Sequence, residues 1–184
     1  MELLKQIGIS LETAALLISG FALLFTVASF YWMNWRRGRI RVDPPKSYVT
    51  MGSQDAKLTM KLPLVFFNSG AIPIVIQDLQ LVFVGEKSPD PLVFTATSPM
   101  LEKSEGRALA FQFPVRGREA ASLICEFQRV PGNLLFDQRT YRLDLEAKLD
   151  KATKWKQIAS FELHVSEKAM QFINRNLIAH NNVP

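Results

Sequence analysis

From Thr13 to Trp35 the chain carries no charged residue, a run of 23 positions. As an α-helix such a run is about 34 Å long, enough to cross a hydrocarbon layer of about 30 Å. Lipid offers no partners to backbone N–H and C=O groups, so a crossing segment must be helical. The polar residues inside it, Ser19, Thr26 and Ser29, can return their hydroxyls to carbonyls of the preceding turn. Tyr31, Trp32 and Trp35 gather at its C-terminal end, where amphipathic rings favour the headgroup layer. Arg36, Arg37, Arg39 and Arg41 follow immediately. This pattern predicts a single-pass membrane anchor over 13–35, behind a short tail over 1–12.

Two rival readings fit less well. A cleaved signal peptide needs a basic start, a shorter apolar stretch and small residues at the cut. Here the first ten residues offer Lys5 against Glu2, and Thr26-Val27-Ala28-Ser29 leads straight into bulky aromatics. A buried core helix would not end in so sharp a basic cluster. Lys and Arg are far richer after the run than before it, so the positive-inside rule predicts a cytoplasmic C-terminal domain. The stretch Met1 to Ile9 would then be the translocated tail. The arginines are expected to meet anionic headgroups, each contributing about 1 kcal/mol near the surface.

Net charge adds little to this. The chain as a whole is at +5. A surplus of three lies before Asp43, leaving the remainder only two charges from balance. Nucleic-acid binding is therefore not expected: the basic run sits beside a membrane helix, and the domain's net charge offers nothing to extend it. A lone cysteine, Cys125, allows no internal disulfide, so the fold must rest on its core.

Asp43-Pro44-Pro45-Lys46 is a stiff break closing a basic juxtamembrane linker over 36–46. Beyond it the hydrophobic period becomes two, the mark of half-buried strands. Leu58, Met60, Leu62, Leu64 and Phe66 share one face. From Ile72 to Val84 the parity changes. Ile72, Ile74 and Ile76 fall out of phase with Leu79, Leu81 and Phe83, which predicts a bulge near Gln77-Asp78. A short strand is expected around Leu92 to Ala96. Leu109, Phe111, Phe113 and Val115 form another series, then Leu123, Cys125 and Phe127. Tyr141, Leu143, Leu145, Ala147 and Leu149 give the most regular alternation, and Phe161, Leu163 and Val165 close it. Seven or eight short strands without an internal helix predict an all-β fold, an antiparallel β-sandwich over 47–165 with immunoglobulin-like topology as the first expectation. A jelly roll or small barrel is the alternative.

The segment 166–184 reads as a helix from Glu167 to about Ala179, capped by Ser166, followed by a fraying tail. Met170, Ile173 and Leu177 lie on one stripe, with Phe172 nearby. They could dock into a partner, lie on the membrane or pack against their own domain.

No residue set reads as a catalytic centre. His164 falls on a polar strand face and His180 in the tail, neither with a ligand at metal spacing. Cys125 shares parity with Leu123 and Phe127, so its thiol should be buried and unreactive. Asp144 and Glu146 alternate with Arg142 and Lys148, as on a solvated sheet face. Asp78 is explained by the bulge. The glycines are isolated turn residues rather than a phosphate loop. No cofactor or metal is expected.

The expectation is a membrane-tethered, non-catalytic binding or assembly module, a subunit of a membrane-associated complex with a protein partner. The sheet edges, the loops 85–91 and 98–106 or the C-terminal segment would recruit that partner. Sensing of a small ligand or lipid at the membrane surface is the alternative, followed by an enzyme whose residues converge only in three dimensions. A fold class does not choose among these.

Overall fold

The charge-free run forms a helix, α1 (Leu11–Asn34), in a computed structural model that describes residues 10–86, 90–102 and 105–183. Ser10 caps it by accepting from the Thr13 N–H at 3.2 Å. Ser19 and Thr26 donate to the carbonyls of Ala15 and Ala22, both at 2.8 Å, so neither hydroxyl is left unpaired. No residue of α1 is buried, and its mean hydropathy reaches 2.0, so it is long and apolar enough to cross a membrane. The stretch expected as a translocated tail, with Lys5, lies outside the described residues, as do 87–89 and 103–104 within the two expected loops and Pro184 at the end of the chain.

Beyond the helix the chain is mostly antiparallel strand. They are β1 (Ile40–Val42), β2 (Ser47–Met51), β3 (Leu58–Asn68), β4 (Ile74–Val84), β5 (Leu92–Ser98) and β6 (Ala108–Leu109), then β7 (Phe113–Val115), β8 (Ala120–Arg129), β9 (Thr140–Leu149), β10 (Lys156–His164) and β11 (Ala179–Asn181). Strand pairing is unbroken in the order β10-β9-β4-β5-β8-β3-β2-β11. β1, β6 and β7 join it at β3, β5 and β4. The result is one sheet curled into a half-barrel, rather than two separate hydrogen-bonded sheets. The corner lies between β4 and β5, where pairing narrows to Gln80 with Val93 and Leu81 with Leu92.

Alternation sets which side faces the core. Leu58, Met60, Leu62, Leu64 and Phe66 of β3 are all buried, opposite Leu79, Leu81 and Phe83 of β4 and Leu143, Leu145 and Ala147 of β9. The parity conflict in β4 is resolved by a bulge: the pairing with β9 shifts between Ile76 and Asp78. One extra residue lets Ile74 and Ile76 face inward together with Leu79 and Leu81. Asp78 sits opposite Lys148, and its carboxylate accepts from the Leu79 N–H at 2.9 Å.

Three expectations need correction. The series Leu109 to Val115 is not one strand. β6 pairs with β5 and β7 with β4, so the chain crosses between partners, leaving Leu109 and Phe111 exposed while Phe113 and Val115 are buried. The stretch 36–46 is not simply a linker, because β1 pairs with Phe66, Phe67 and Asn68. Pro44 and Pro45, without N–H donors, interrupt the edge of β3 between β1 and β2.

The third correction concerns the C-terminus. The helix stops after one turn, α2 (Glu167–Met170), with Ser166 capping it as expected. The Ile173 carbonyl accepts from the Gly52 N–H at 3.0 Å instead of from a further helical turn. Asn174 exchanges two hydrogen bonds with the Phe136 backbone, at 3.1 and 3.0 Å. A Cβ on Gly52 would collide with the Asn174 side chain, so glycine permits this docking. The chain then runs on as β11 against β2, and the tail is tied down rather than frayed.

Candidate functional site

Two edges of the half-barrel face each other without pairing. β1 and β10 approach to within 8 Å between Cα atoms, yet among the described residues β1 forms a strand ladder only with β3 and β10 only with β9. One end of this seam is stitched. Asn182 donates to the carbonyls of Pro45 at 3.0 Å and Glu162 at 2.8 Å, and accepts from the His164 N–H at 2.9 Å. The Tyr48 hydroxyl donates to the His164 carbonyl at 2.9 Å. Burial pushes that phenol up to about 12. His180, expected in a loose tail, lies in β11 with its ring 5.6 Å from that of Tyr48. Its Nε2 is buried without a hydrogen-bond partner, and burial lowers its pKa.

The other end of the seam opens beside the exit of α1. Arg36 stacks on Trp32, with its guanidinium carbon 3.9 Å from the ring centre. The carbonyls of Arg36 and Arg39 accept from the N–H groups of Ala71, at 2.8 Å, and Ser69, at 3.2 Å. Gly38 passes so close to Gly70 that a Cβ on either would strike backbone of the other. Arg118, from the turn between β7 and β8, donates to the Trp32 carbonyl at 2.8 Å and ties the helix end to the domain. The helix therefore leaves through a strap built into the sheet.

Between this strap and the β9–β10 hairpin lies a groove of about 690 Å³, lined by Gly38, Arg39, Ile40, Leu149, Lys156 and Ile158 among others. An adjoining hollow of about 430 Å³ adds Arg37, Ile72, Pro73 and Lys151. Asp150 is shared by both; its carboxylate accepts from the Val75 N–H at 3.0 Å.

Of the residues predicted at the membrane interface, Tyr31 and Trp32 are exposed on α1 and Trp35 just past its end, and Arg36, Arg37 and Arg39 form the strap. Arg41 is exposed on β1. Lys151, Lys156 and Arg118 join them from distant segments, which a net charge could not reveal. Alternation and turn residues placed the hairpin and the β7–β8 turn, but no local signal brings them to one end.

The C-terminal candidates separate. Ile173 is fully buried, Met170 and Leu177 are half-buried, and Phe172 is 41% exposed. Stripe residues thus mostly pack on their own domain, and only Phe172 is free to meet another surface.

Cys125 is wholly buried, and its thiol is pushed up to about 12. His164 contacts Thr140 at 3.0 Å and Glu162 at 3.9 Å. Among the described residues no group of three or more His, Cys, Asp or Glu side chains is placed to hold a metal.

No family model and no curated protein matches this chain. Among solved structures, a crystal structure of a protein from Archaeoglobus fulgidus is similar at 8% identity and a TM-score of 0.33, over 79% of this chain and 98% of that one. A likeness that slight carries no argument about function.

Proposed function

We propose that this chain is a single-pass membrane protein whose β-domain serves as a non-catalytic binding or assembly module, a subunit of a membrane-associated complex. The observation that carries it is α1: an apolar helix with no buried residue, joined to its domain by a strap rather than a free linker. A soluble setting would leave all of that apolar surface in water, whereas a bilayer covers it. Tyr31, Trp32, Trp35 and the arginines would lie at headgroup level, with the domain on the cytoplasmic side by the positive-inside rule. The immunoglobulin-like expectation is supported only by two limbs facing one core; the unbroken pairing favours a half-barrel. Phe172, and the exposed Leu109 and Phe111 left by the split of the β6–β7 series, are among the exposed apolar residues that could meet a protein partner.

Membrane extraction and pulldown test this together. The full chain should stay in the pellet after carbonate washing, and should bring a stoichiometric partner through purification in mild detergent. Extraction by carbonate would overturn the anchor. A lone monomer in repeated pulldowns would overturn the assembly role.

A further inference from the structure

The geometry points to the open mouth of the β1–β10 seam as a binding site for the headgroup of an anionic phospholipid. This rests on reading α1 as a membrane anchor, and names a ligand for the domain at its exit. The groove and the adjoining hollow bring Arg37 and Arg39 from the strap together with Lys151 and Lys156 from the β9–β10 hairpin, segments more than a hundred positions apart. Their one acid, Asp150, is held by the Val75 N–H.

Charge complementarity selects the ligand class. A phosphate diester can meet several cations at once, and each contact near an anionic surface adds about fivefold to association. The floor of the site is apolar, with Ile40, Ile74, Leu149 and Ile158, and would cover the glycerol and first methylenes of a lipid. The Arg118–Trp32 bond and the strap fix this mouth beside the helix exit, where headgroups lie if α1 crosses a bilayer. The opposite end of the seam is bridged by Asn182 and Tyr48, which leaves the groove at the helix end.

The test is thermal unfolding of the full chain in mild zwitterionic detergent, with phosphatidylglycerol, phosphatidylcholine, inorganic phosphate or soluble polyglutamate added. Phosphatidylglycerol should raise Tm and the other three should not. Lys151→Gln/Lys156→Gln should start from the wild-type Tm and lose about half or more of that rise. Lys151→Arg/Lys156→Arg should keep it, and so should Lys57→Gln/Lys168→Gln, which removes the same charge elsewhere on the surface. An equal rise with phosphatidylcholine, or an undiminished rise in the Gln variant, would overturn the proposal. An equal rise with phosphate or polyglutamate would overturn the lipid assignment in favour of a soluble anion. Carbonate extraction reports on the anchor independently, so the two readings can fail separately.

Discussion

The side-chain amide of Asn182 donates to the carbonyl of Pro45 at 3.0 Å across 137 positions of sequence. The same amide reaches Glu162, and its oxygen takes the His164 N–H. Three segments with no sequence relation, the Pro44–Pro45 break, β10 and the C-terminal tail, therefore meet on one side chain. The half-barrel is closed at one end by this contact and open at the other.

Asn182→Ala removes all three hydrogen bonds from a half-buried position. A loss of about 1–2 kcal/mol is expected, with a lowered Tm. Hydrogen exchange should rise first in β11 and at the end of β10. A change confined to the amides of Asn182 and Val183 would mean that the tail does not close the seam.

Gly38→Ala introduces a methyl group into the backbone of Gly70. The strap must move, at a cost of about 1–3 kcal/mol. Protease cleavage between α1 and β1 should increase in the intact chain, whereas Gly20→Ala, with open space around it, should leave both unchanged.

Burial holds the pKa of His180 below its ordinary value of 6.5, so the fold prefers the neutral ring. The unfolded chain takes up its proton at higher pH than the fold does. The stability contributed by the neutral ring is thus complete above 6.5 and is lost as pH falls through the lower folded-state value. Unfolding followed from about pH 8 to about pH 5 should show this decline. His180→Gln should flatten it relative to wild type; identical profiles would remove His180 from the account.

Ile173→Ala should cost about 2–5 kcal/mol because the side chain is fully buried. Phe172→Ser, one position earlier and exposed, should change stability by less than about 0.5 kcal/mol. If Phe172 meets a partner, this substitution reduces co-purification without lowering Tm.

The buried thiol of Cys125, pushed up to about 12, should not react with a maleimide in the native chain. It should react fully once the chain is unfolded in denaturant. Rapid native labelling would show that the core opens at β8.

Some of this was legible locally. The helix was written in a charge-free run, and the faces of β3, β9 and β10 in a period of two. Even the bulge at Asp78 was visible as a break in parity. Each depends on neighbouring residues and on the fixed geometry of helix or strand. The β6–β7 series had the same period but chose two different partner strands, so its alternation misled at Leu109 and Phe111.

By itself, then, the sequence determined one helix long and apolar enough to cross a membrane, an antiparallel β-domain behind it and, on β3, β4, β9 and β10, the apolar side chains that enter the core. Periodicity carries that information because it is written between adjacent residues. Only the tertiary structure decided that α2 ends after one turn, where the Gly52 N–H takes the Ile173 carbonyl and the Asn174 side chain is held by the Phe136 backbone. It also decided that Asn182 closes one end of the seam, and that Arg37, Arg39, Lys151 and Lys156 line the adjoining hollows at the other. Those outcomes depend on contacts between distant segments, and neither a local pattern nor a net charge records which distant groups the curl of the sheet brings together.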